Sequence, residues 1–344
     1  MKRLKVGVSA LFDPADTPHA RTFLRALCVA RNFIPGLAHV QWHFLDDGAD
    51  PVRAEEVARE MVAASVDLVV GHFSSDAALS AAAVYRQAGI ALLTPAATID
   101  CLTRDHHNVF RFCPSDRQLA RDLVGWIRAK GWKTLHVVAD QSAHGRALAK
   151  GIAQVAGDYG VAQTDEREQA QVEVFAGRLR SSRDHWRQRR ASGSLRPLIF
   201  TDDAASRWLG NAAVDDSTTW VIGFGHPDDD SDRCHGTVQH QALFETAPET
   251  YYRESLLLFH VLGVLANREW RRADLLQALN HTTFSTPLGD VSFDQGELRG
   301  ACNRLWQVGP HGLRAVTGSC AENGSSDSTT PSTLMPSTLW MERK

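Results

Sequence analysis

The sequence lacks a large excess of charge of either sign. Its 344 residues include 37 basic and 40 acidic side chains, which gives a formal net charge of -3 at pH 7. A protein of this composition has no overall field that would attract nucleic acid or an anionic membrane. We therefore expect no nucleic-acid partner, and a small-molecule ligand becomes the default expectation.

Long apolar runs are missing as well. No stretch approaches the roughly 18 consecutive apolar residues of a membrane helix, so we expect no membrane span. The basic and apolar start of the chain stops at Asp13, which suits a buried first strand better than a secretory signal with about 7–15 apolar residues. This pattern predicts a cytoplasmic protein, or a periplasmic one if the true start lies upstream.

Paired cysteines and catalytic motifs are also absent. The six cysteines are scattered, with no Cys-x-x-Cys pair, which favours reduced surroundings and offers no zinc-type spacing. The chain contains no phosphate loop, dinucleotide fingerprint or nucleophile elbow. No nucleophile, base and stabiliser can be matched as a set. We therefore predict a protein that is not an enzyme and that needs no cofactor or metal.

What the sequence does contain is a regular alternation of short apolar strands and amphipathic helices, typical of doubly wound α/β folds. The first half of the pattern predicts strands over 5–11, 40–45, 66–70 and 91–93 and helices over 20–33, 52–64 and 77–88. The pattern restarts after Cys113, with strands over 134–139, 197–201 and 220–223 and helices over 118–130 and 145–157. Two helices over 251–266 and 271–280 and three short strands near 290–293, 304–308 and 313–316 complete it. This restart predicts a second lobe.

Two stretches differ in composition from the rest. The segment 178–190 is rich in arginine, which is typical of a solvated helix face. From Gly318 the chain is dominated by Ser, Thr, Pro, Asn and Gly, so 318–344 is predicted to be a mostly disordered tail.

Two turns follow neighbouring predicted strands and carry hydroxyl groups. They read Gly-His-Phe-Ser-Ser-Asp at 71–76 and Thr-Pro-Ala-Ala-Thr at 94–98. In open α/β sheets, ligands bind outside the carboxyl ends of the strands, where free amides and helix N-termini can hold a carboxylate or amide. A simpler interpretation is that Ser74 or Ser75 caps the next helix and Thr98 closes a turn. Taken alone, the residues favour that simpler role.

At these turns the sequence resembles the leucine/isoleucine/valine-binding protein family and a relative, the amide-binding regulator of bacterial aliphatic amidase. The resemblance covers roughly 4–160 and 250–316. It is carried by DDGADP at 46–51, VVGH at 69–72, LTPAAT at 93–98, VVAD at 137–140 and TPLGDV at 286–291.

The resemblance implies an α/β fold of two doubly wound lobes, of the type I periplasmic-binding-protein kind, with a ligand cleft between them. The first lobe would comprise 1–115 and 240–288, and the second 116–239 and 289–317. The implied function is binding of a small polar ligand such as an amino acid or amide, as the solute-binding component of an ABC transporter with a permease partner. The alternative is a cytoplasmic ligand sensor that acts on a regulator protein.

The resemblance also assigns ligand contacts. Ser75 and Thr98 would hold the carboxylate or amide of the ligand, and the Ala96 carbonyl would take its ammonium or amide hydrogens. The second lobe would supply His144, where the family commonly has an aromatic residue, and Asp203, in place of a tyrosine-type contact.

Three departures from the family pattern stand out. Ala49 and Ser74 occupy positions where periplasmic members can carry a disulfide-forming cysteine pair. The glutamate that would pair an amino-acid ammonium is replaced by Gly225 or its neighbour His226, which leaves the ligand undefined. The stretch between 223 and 251 is shorter than the resemblance implies, so we expect closure of the lobes to be altered.

Overall fold

A computed structural model describes residues 3–12, 19–206, 209–210, 216–225, 235–310 and 312–316. Within these residues the chain forms two seven-stranded sheets, each flanked by helices, and a separate two-stranded hairpin. The α/β fold class predicted from the alternating pattern is thereby confirmed. The predicted tail 318–344 and His226 lie outside the described residues.

The first sheet is parallel over six of its seven strands, and β13 pairs antiparallel with β14. In order across the sheet its strands are β13 (Phe293–Asp294), β14 (Glu297–Leu298), β5 (Val109–Arg111), β4 (Ala91–Thr94), β3 (Leu68–Gly71), β1 (Leu4–Ala10) and β2 (Val40–Asp46). The helices that surround it are α1 (His19–Ala30), α2 (Pro51–Ala63), α3 (Ser75–Gln87), α4 (Cys101–Asp105), α9 (Tyr252–Ala266) and α10 (Arg272–His281).

Strand β3 shows why these segments read as uninterrupted apolar runs. Leu68 and Val70 pack into the core on one face of the sheet, with α1 and α9. Val69 packs into the core on the other face, with α2 and α3. Because successive side chains of a strand point to opposite faces, a parallel strand covered by helices on both sides must be apolar throughout.

The second sheet repeats the arrangement. In order across the sheet its strands are β16 (Gly312–Ala315), β15 (Cys302–Gly309), β10 (Asp216–Gly225), β9 (Leu198–Phe200), β8 (Val172–Ala176), β6 (Thr134–Ala139) and β7 (Ala162–Gln163). Strands β10, β9, β8, β6 and β7 are parallel, and β15 and β16 add antiparallel strands at the edge. Its helices are α5 (Asp116–Ala129), α6 (Ala143–Asp158) and α7 (Leu179–Ala191).

The hairpin β13–β14 lies on the first sheet, whereas the resemblance places everything after 288 in the second lobe. Strand β14 pairs with β5 at Glu297 and Arg111. The Arg111 side chain is fully buried and its guanidinium forms an ion pair with Glu297. This buried cation fixes the hairpin, and the chain passes to the second sheet between Leu298 and Cys302.

Four further elements refine the sequence-based description. Strand β8, which the sequence analysis did not predict, lies between β9 and β6 in the second sheet. The arginine-rich segment forms α7, whose Leu179, Ser182 and Trp186 are buried. The short stretch between 223 and 251 contains α8 (His235–Phe244), and a separate hairpin joins β11 (Phe284–Thr286) to β12 (Gly289–Val291). None of the described helices has the length and apolarity needed to cross a membrane.

Candidate functional site

A cavity lies where the carboxyl ends of strands from the two sheets face each other. The empty space between its lining residues is ≈ 540 Å³, with the open solvent at its mouth included. Segments that follow first-sheet strands, together with α1, contribute Leu11, His19, Ala49, Phe73, Ser74, Ser75, Ala96 and Thr98. Segments that follow β6, β8 and β9 contribute His144, Arg178, Asp202 and Asp203. This is the position where ligands bind in open α/β sheets.

The structure brings the five sequence-predicted site residues together. Ser75, Ala96, Thr98, His144 and Asp203 all line this one cavity. Three of them come from the first sheet and two from the second, so the cavity is a cleft between the two sheets. Helices α3 and α6 approach each other across it.

The N-terminus of α3 forms one pole of the cleft. Ser74 is the N-cap in extended conformation (φ -74, ψ 134), but its side chain makes no capping hydrogen bond. Ser75 begins the helix and is 8% exposed. Among the described residues, none accepts a hydrogen bond from the amides of Ser75, Asp76 or Ala77. A helix of 13 residues with free amides at its first turn attracts an anionic or carbonyl oxygen.

The turn after β4 stands beside this helix end. The Ala97 amide donates to Thr94 Oγ1 at 3.1 Å, which fixes the turn. Thr98 is 1% exposed, its carbonyl accepts from the Asp116 amide at 2.9 Å, and its hydroxyl is hydrogen-bonded to the Asp116 carboxyl. Burial raises the pKa of Asp116. Within the described part of the chain, the Ala96 carbonyl accepts no backbone hydrogen bond and is available to a ligand donor.

The Gly-His pair of the motif lies beneath the cleft and does not line it. The Gly71 backbone adopts φ +127, and a Cβ there would lie 2.0 Å from the Ser9 carbonyl oxygen. His72 is fully buried, with Nδ1 2.9 Å from Asp47 Oδ2 and Nε2 2.9 Å from the Tyr85 hydroxyl. Burial alone would raise the pKa of Asp47, but the bond and charge of His72 bring it below its usual value. The histidine is therefore a structural support for the binding turn.

Two adjacent carboxyl groups form the opposite pole. Asp203 Oδ1 accepts hydrogen bonds from His19 Nε2 and from the Tyr251 hydroxyl, both at 3.0 Å. These partners and the charge of His144 overcome burial and hold the pKa of Asp203 well below its usual range. Asp202 is 1% exposed, and burial together with the Asp203 charge raises its pKa to about 7.

His144 and Arg178 bring positive charge to the same side. Burial alone would lower the pKa of His144, but Asp116, Asp203 and Asp202 raise it to about 9. The imidazole is therefore charged at pH 7, and its Nε2 has no hydrogen-bond partner among the described residues. The Arg178 amide donates to the Asp140 carboxylate at 2.8 Å, which orders the segment that bears its guanidinium.

Sequence reasoning missed three polar or charged residues that line the cleft. His19 immediately precedes the helix predicted over 20–33, and Arg178 begins the segment that was interpreted as a solvated face. Asp202 precedes the chosen Asp203, and both follow the same strand. That position after a strand was the available signal, but it does not say which of two adjacent acids turns inward.

The positions that depart from the family pattern, Ala49, Ser74 and Gly225, can be located in the structure. Ala49 and Ser74 both line the cleft. Gly225 ends β10, where a Cβ would lie 2.6 Å from Arg304 Cβ, so this position has no room for a glutamate without displacing its neighbour. The cleft therefore has donors at one pole and carboxyl groups at the other, which suits a small ligand that carries both an oxygen acceptor and N–H donors.

Comparison with known proteins agrees with this geometry. A family model described as periplasmic binding protein matches residues 36–182. The Leu/Ile/Val-binding protein homolog 3 of Brucella melitensis is 32% identical over 108 residues, which cover 31% of this chain and 29% of that protein. An amino acid binding protein of Pseudomonas aeruginosa is 36% identical over 110 residues, which cover 30% of this chain and 29% of that protein. The chain thus matches less than a third of the length of these curated relatives.

Similar solved structures cover nearly the whole chain. An ABC transporter substrate-binding protein from Desulfitobacterium hafniense, in complex with Leu, has a TM-score of 0.76 at 19% identity and covers 91% of this chain and 100% of that one. A leucine binding protein from Thermotoga maritima has a TM-score of 0.79 at 16% identity, with 91% and 97% covered. A solute binding protein from Rhodopseudomonas palustris, in complex with 3,4-dihydroxy benzoic acid, has a TM-score of 0.77 at 16% identity, with 92% and 96% covered.

These similarities confirm the two-lobed fold of periplasmic-binding-protein type. The match over 36–182 and the curated relatives confirm the resemblance to the leucine/isoleucine/valine-binding proteins. The relatives are binding proteins for amino acids and other solutes, so the alternative of an amidase-type regulator is not favoured.

Proposed function

We propose that this chain is a non-enzymatic binding protein that holds an amino acid or a related small polar ligand in the cleft. It would serve as the solute-binding component of an ABC transporter, with a permease as protein partner. The observation that carries the proposal is the cleft itself, in which free amides of one sheet's turns face carboxyl groups of the other. Such a site holds a bifunctional ligand by both ends.

The first pole would take the ligand's oxygen atoms. The hydroxyl and amide groups of Ser75 and Thr98 provide donors where the α3 dipole also favours negative charge. The Ala96 carbonyl beside them would accept a ligand N–H. His144 and Asp203 would complete the contacts from the second sheet once the cleft is occupied.

The relatives support a ligand of this kind. Their names include Leu/Ile/Val-binding and amino acid binding proteins, and a similar structure contains leucine. Other proteins of the same fold bind benzoate or a dihydroxybenzoic acid. The proposal therefore commits to the carboxylate or amide oxygen as the shared feature and to amino acids as the first class to test.

A thermal-shift screen with amino acids, amides and aromatic carboxylates tests the proposal. A ligand at about 100 times its dissociation constant stabilises the native state by about 2.7 kcal/mol. That corresponds to several degrees for domains of about 150–250 residues. The hits are then titrated calorimetrically against the parent protein and the variants Ser75→Ala and Thr98→Ala.

The variants separate ligand binding from a purely structural role. Losing a hydrogen bond to a neutral ligand group costs about 0.5–1.5 kcal/mol, and one to a charged group about 1.5–3 kcal/mol. Affinity should therefore fall from about threefold to over a hundredfold, while unfolding of the free protein changes less. Ser285→Ala, on the exposed hairpin β11–β12, is the matched control and should bind like the parent. Parent-like affinity in both cleft variants would reject the site.

A further inference from the structure

Asp202 is the most unusual group in the cleft. It opens the 3-10 turn Asp202–Ala204 directly after β9, at the carboxyl edge of the second sheet. Its side chain lines the cleft and the residue is 1% exposed. Its Oδ1 atom is buried and finds no hydrogen-bond partner among the described residues. A buried carboxyl oxygen without a partner is costly, so it indicates a missing donor.

The neighbouring acid makes the contrast clear. Asp203 already receives hydrogens from His19 and Tyr251, so its oxygen has its donors within the protein. Most of the described groups around Asp202 supply no hydrogen-bond donor to its carboxyl. The charge of Asp203 and that of Asp116, at the start of α5, both disfavour ionisation of Asp202.

The remaining titratable neighbours come from three other segments. His144 at the start of α6 is a cation that favours the ionised form of Asp202. Its Nε2 and the Asp202 Oδ1 atom both lack a hydrogen-bond partner among the described residues, so these two atoms are not bonded to each other. Asp202 is also close enough to Tyr251 and Cys113 to raise their pKa values. Arg178 lines the same cleft.

We propose that Asp202 receives the ammonium group of the ligand and thereby makes the cleft select amino acids over carboxylates that lack an amino group. This inference rests on the proposed function, because it requires the ligand's carboxylate to sit at the α3 pole. An ammonium at the opposite pole supplies a charged donor to Asp202 Oδ1, which has none among the described residues. Asp202 would then replace the glutamate that pairs the ammonium in the family pattern. Gly225, at that position here, has no room for a side chain.

The assignment has a consequence for pH. Burial and the Asp203 charge raise the pKa of Asp202 to about 7 in the free protein, so the carboxyl is largely protonated at pH 6 and largely ionised at pH 8. A cation binds the ionised form, so binding releases a proton. Affinity should rise about tenfold between pH 6 and pH 8.

The test compares ligands that differ only in the amino group. The probes are L-alanine, L-valine and L-leucine, each paired with its carboxylate lacking the amino group: propanoate, 3-methylbutanoate and 4-methylpentanoate. Calorimetric titrations use the parent protein, Asp202→Asn and the control Asp184→Asn, which alters a carboxylate that is 66% exposed on α7 of the same sheet.

The expected result has three parts. The parent binds the best amino acid at least tenfold more tightly than its partner acid. Asp202→Asn weakens amino-acid binding by about ten- to a hundredfold, changes the affinity for the partner acid less than about threefold, and flattens the pH dependence. Asp184→Asn behaves like the parent.

Failure of the inference can be told apart from failure of the proposed function. If the parent binds the partner acid as tightly as the amino acid, or if Asp202→Asn leaves their affinity ratio unchanged, the site binds ligand but Asp202 does not select it. If the parent binds no probe of either class, both the proposed function and the inference are wrong. Should Asp202→Asn not fold, proton release on amino-acid binding to the parent, measured in buffers of different ionisation enthalpy, decides the question: no release refutes the inference.

Discussion

The bond from Tyr251 to Asp203 should couple ligand binding to closure of the cleft. Tyr251 precedes α9, which packs on the first sheet, and its hydroxyl donates to Asp203 Oδ1 of the second sheet at 3.0 Å. The tyrosine is 1% exposed, and its ring contacts His19 at 4.1 Å and Phe224 at 4.8 Å between centroids. Tyr251→Phe removes the hydroxyl and keeps these ring contacts.

The magnitude follows from the charge of the acceptor. The pKa of Asp203 is held well below its usual range, so Asp203 is ionised at neutral pH. A hydrogen bond to a charged group contributes about 1.5–3 kcal/mol. Because this bond joins segments of the two sheets, it is broken when the cleft opens. Tyr251→Phe should therefore weaken ligand binding by about ten- to 150-fold.

The adjacent tyrosine provides the control. Tyr252 is also buried, and its hydroxyl donates to the Gly236 carbonyl at 2.7 Å, a neutral acceptor in α8. Tyr252→Phe should lower the free energy of unfolding by about 0.5–1.5 kcal/mol and leave ligand affinity near that of the parent. Urea unfolding and calorimetric titration of both variants measure the two quantities. Equal losses of affinity in the two variants, or parent-like affinity in Tyr251→Phe, would refute the coupling.

Four further predictions concern stability and redox state. The pKa of Asp202 is raised on folding, so the native state binds the extra proton and stability of the free protein should fall as pH rises from about 4 to 7; Asp202→Asn should remove this slope in urea unfolding. The pKa of His144 is raised to about 9, so the stability that it contributes should be complete below about pH 6.5 and lost as the pH passes 9. A pH dependence of stability with the opposite sign, in either of these two pH ranges, would contradict these assignments. Glu297→Gln should destabilise the protein towards the low end of about 3–5 kcal/mol, because it leaves the buried Arg111 without its anion while Glu297 itself is 39% exposed; a loss under about 0.5 kcal/mol would show that backbone carbonyls suffice. We propose that all six cysteines are free thiols, as the four described ones are, so thiol titration after denaturation without reductant should find about six free groups, and two or fewer would reject this.

Much of the fold could be predicted because parallel strands covered on both faces leave a simple pattern. The runs around Val69 and Leu92, which are buried on both sides, stand out between amphipathic helices. Strand β8 was missed because Glu173 interrupts its run. In the structure this glutamate is 1% exposed and lies against His185, Arg167 and Arg189, partners that belong to the segments before and after the strand. Their convergence cannot be deduced from spacing.

The site was predicted in outline for a related reason. Turns at the ends of neighbouring strands must meet, so Ser75 and Thr98 could be expected to lie together. The choice between Asp202 and Asp203 depends on the backbone of a single 3-10 turn and on His19, a side chain almost two hundred positions away. The periodicity of a sequence does not reveal such a contact. The sequence analysis therefore chose Asp203 and overlooked Asp202.

The late return of the chain to both sheets bears on how the protein is synthesised. The first sheet is completed by β13 and β14, of which β14 pairs with β5 across 186 positions at Arg111 and Glu297, and the second by β15 and β16. Until β14 (Glu297–Leu298) has been made, β5 presents an open edge, and until β15 (Cys302–Gly309) has been made, β10 does too; open edges invite pairing with other chains. Neither sheet can therefore be completed before most of the chain has been translated, and contacts of such long sequence separation form slowly. Nascent chains that end before residue 293 should depend on chaperones to remain soluble.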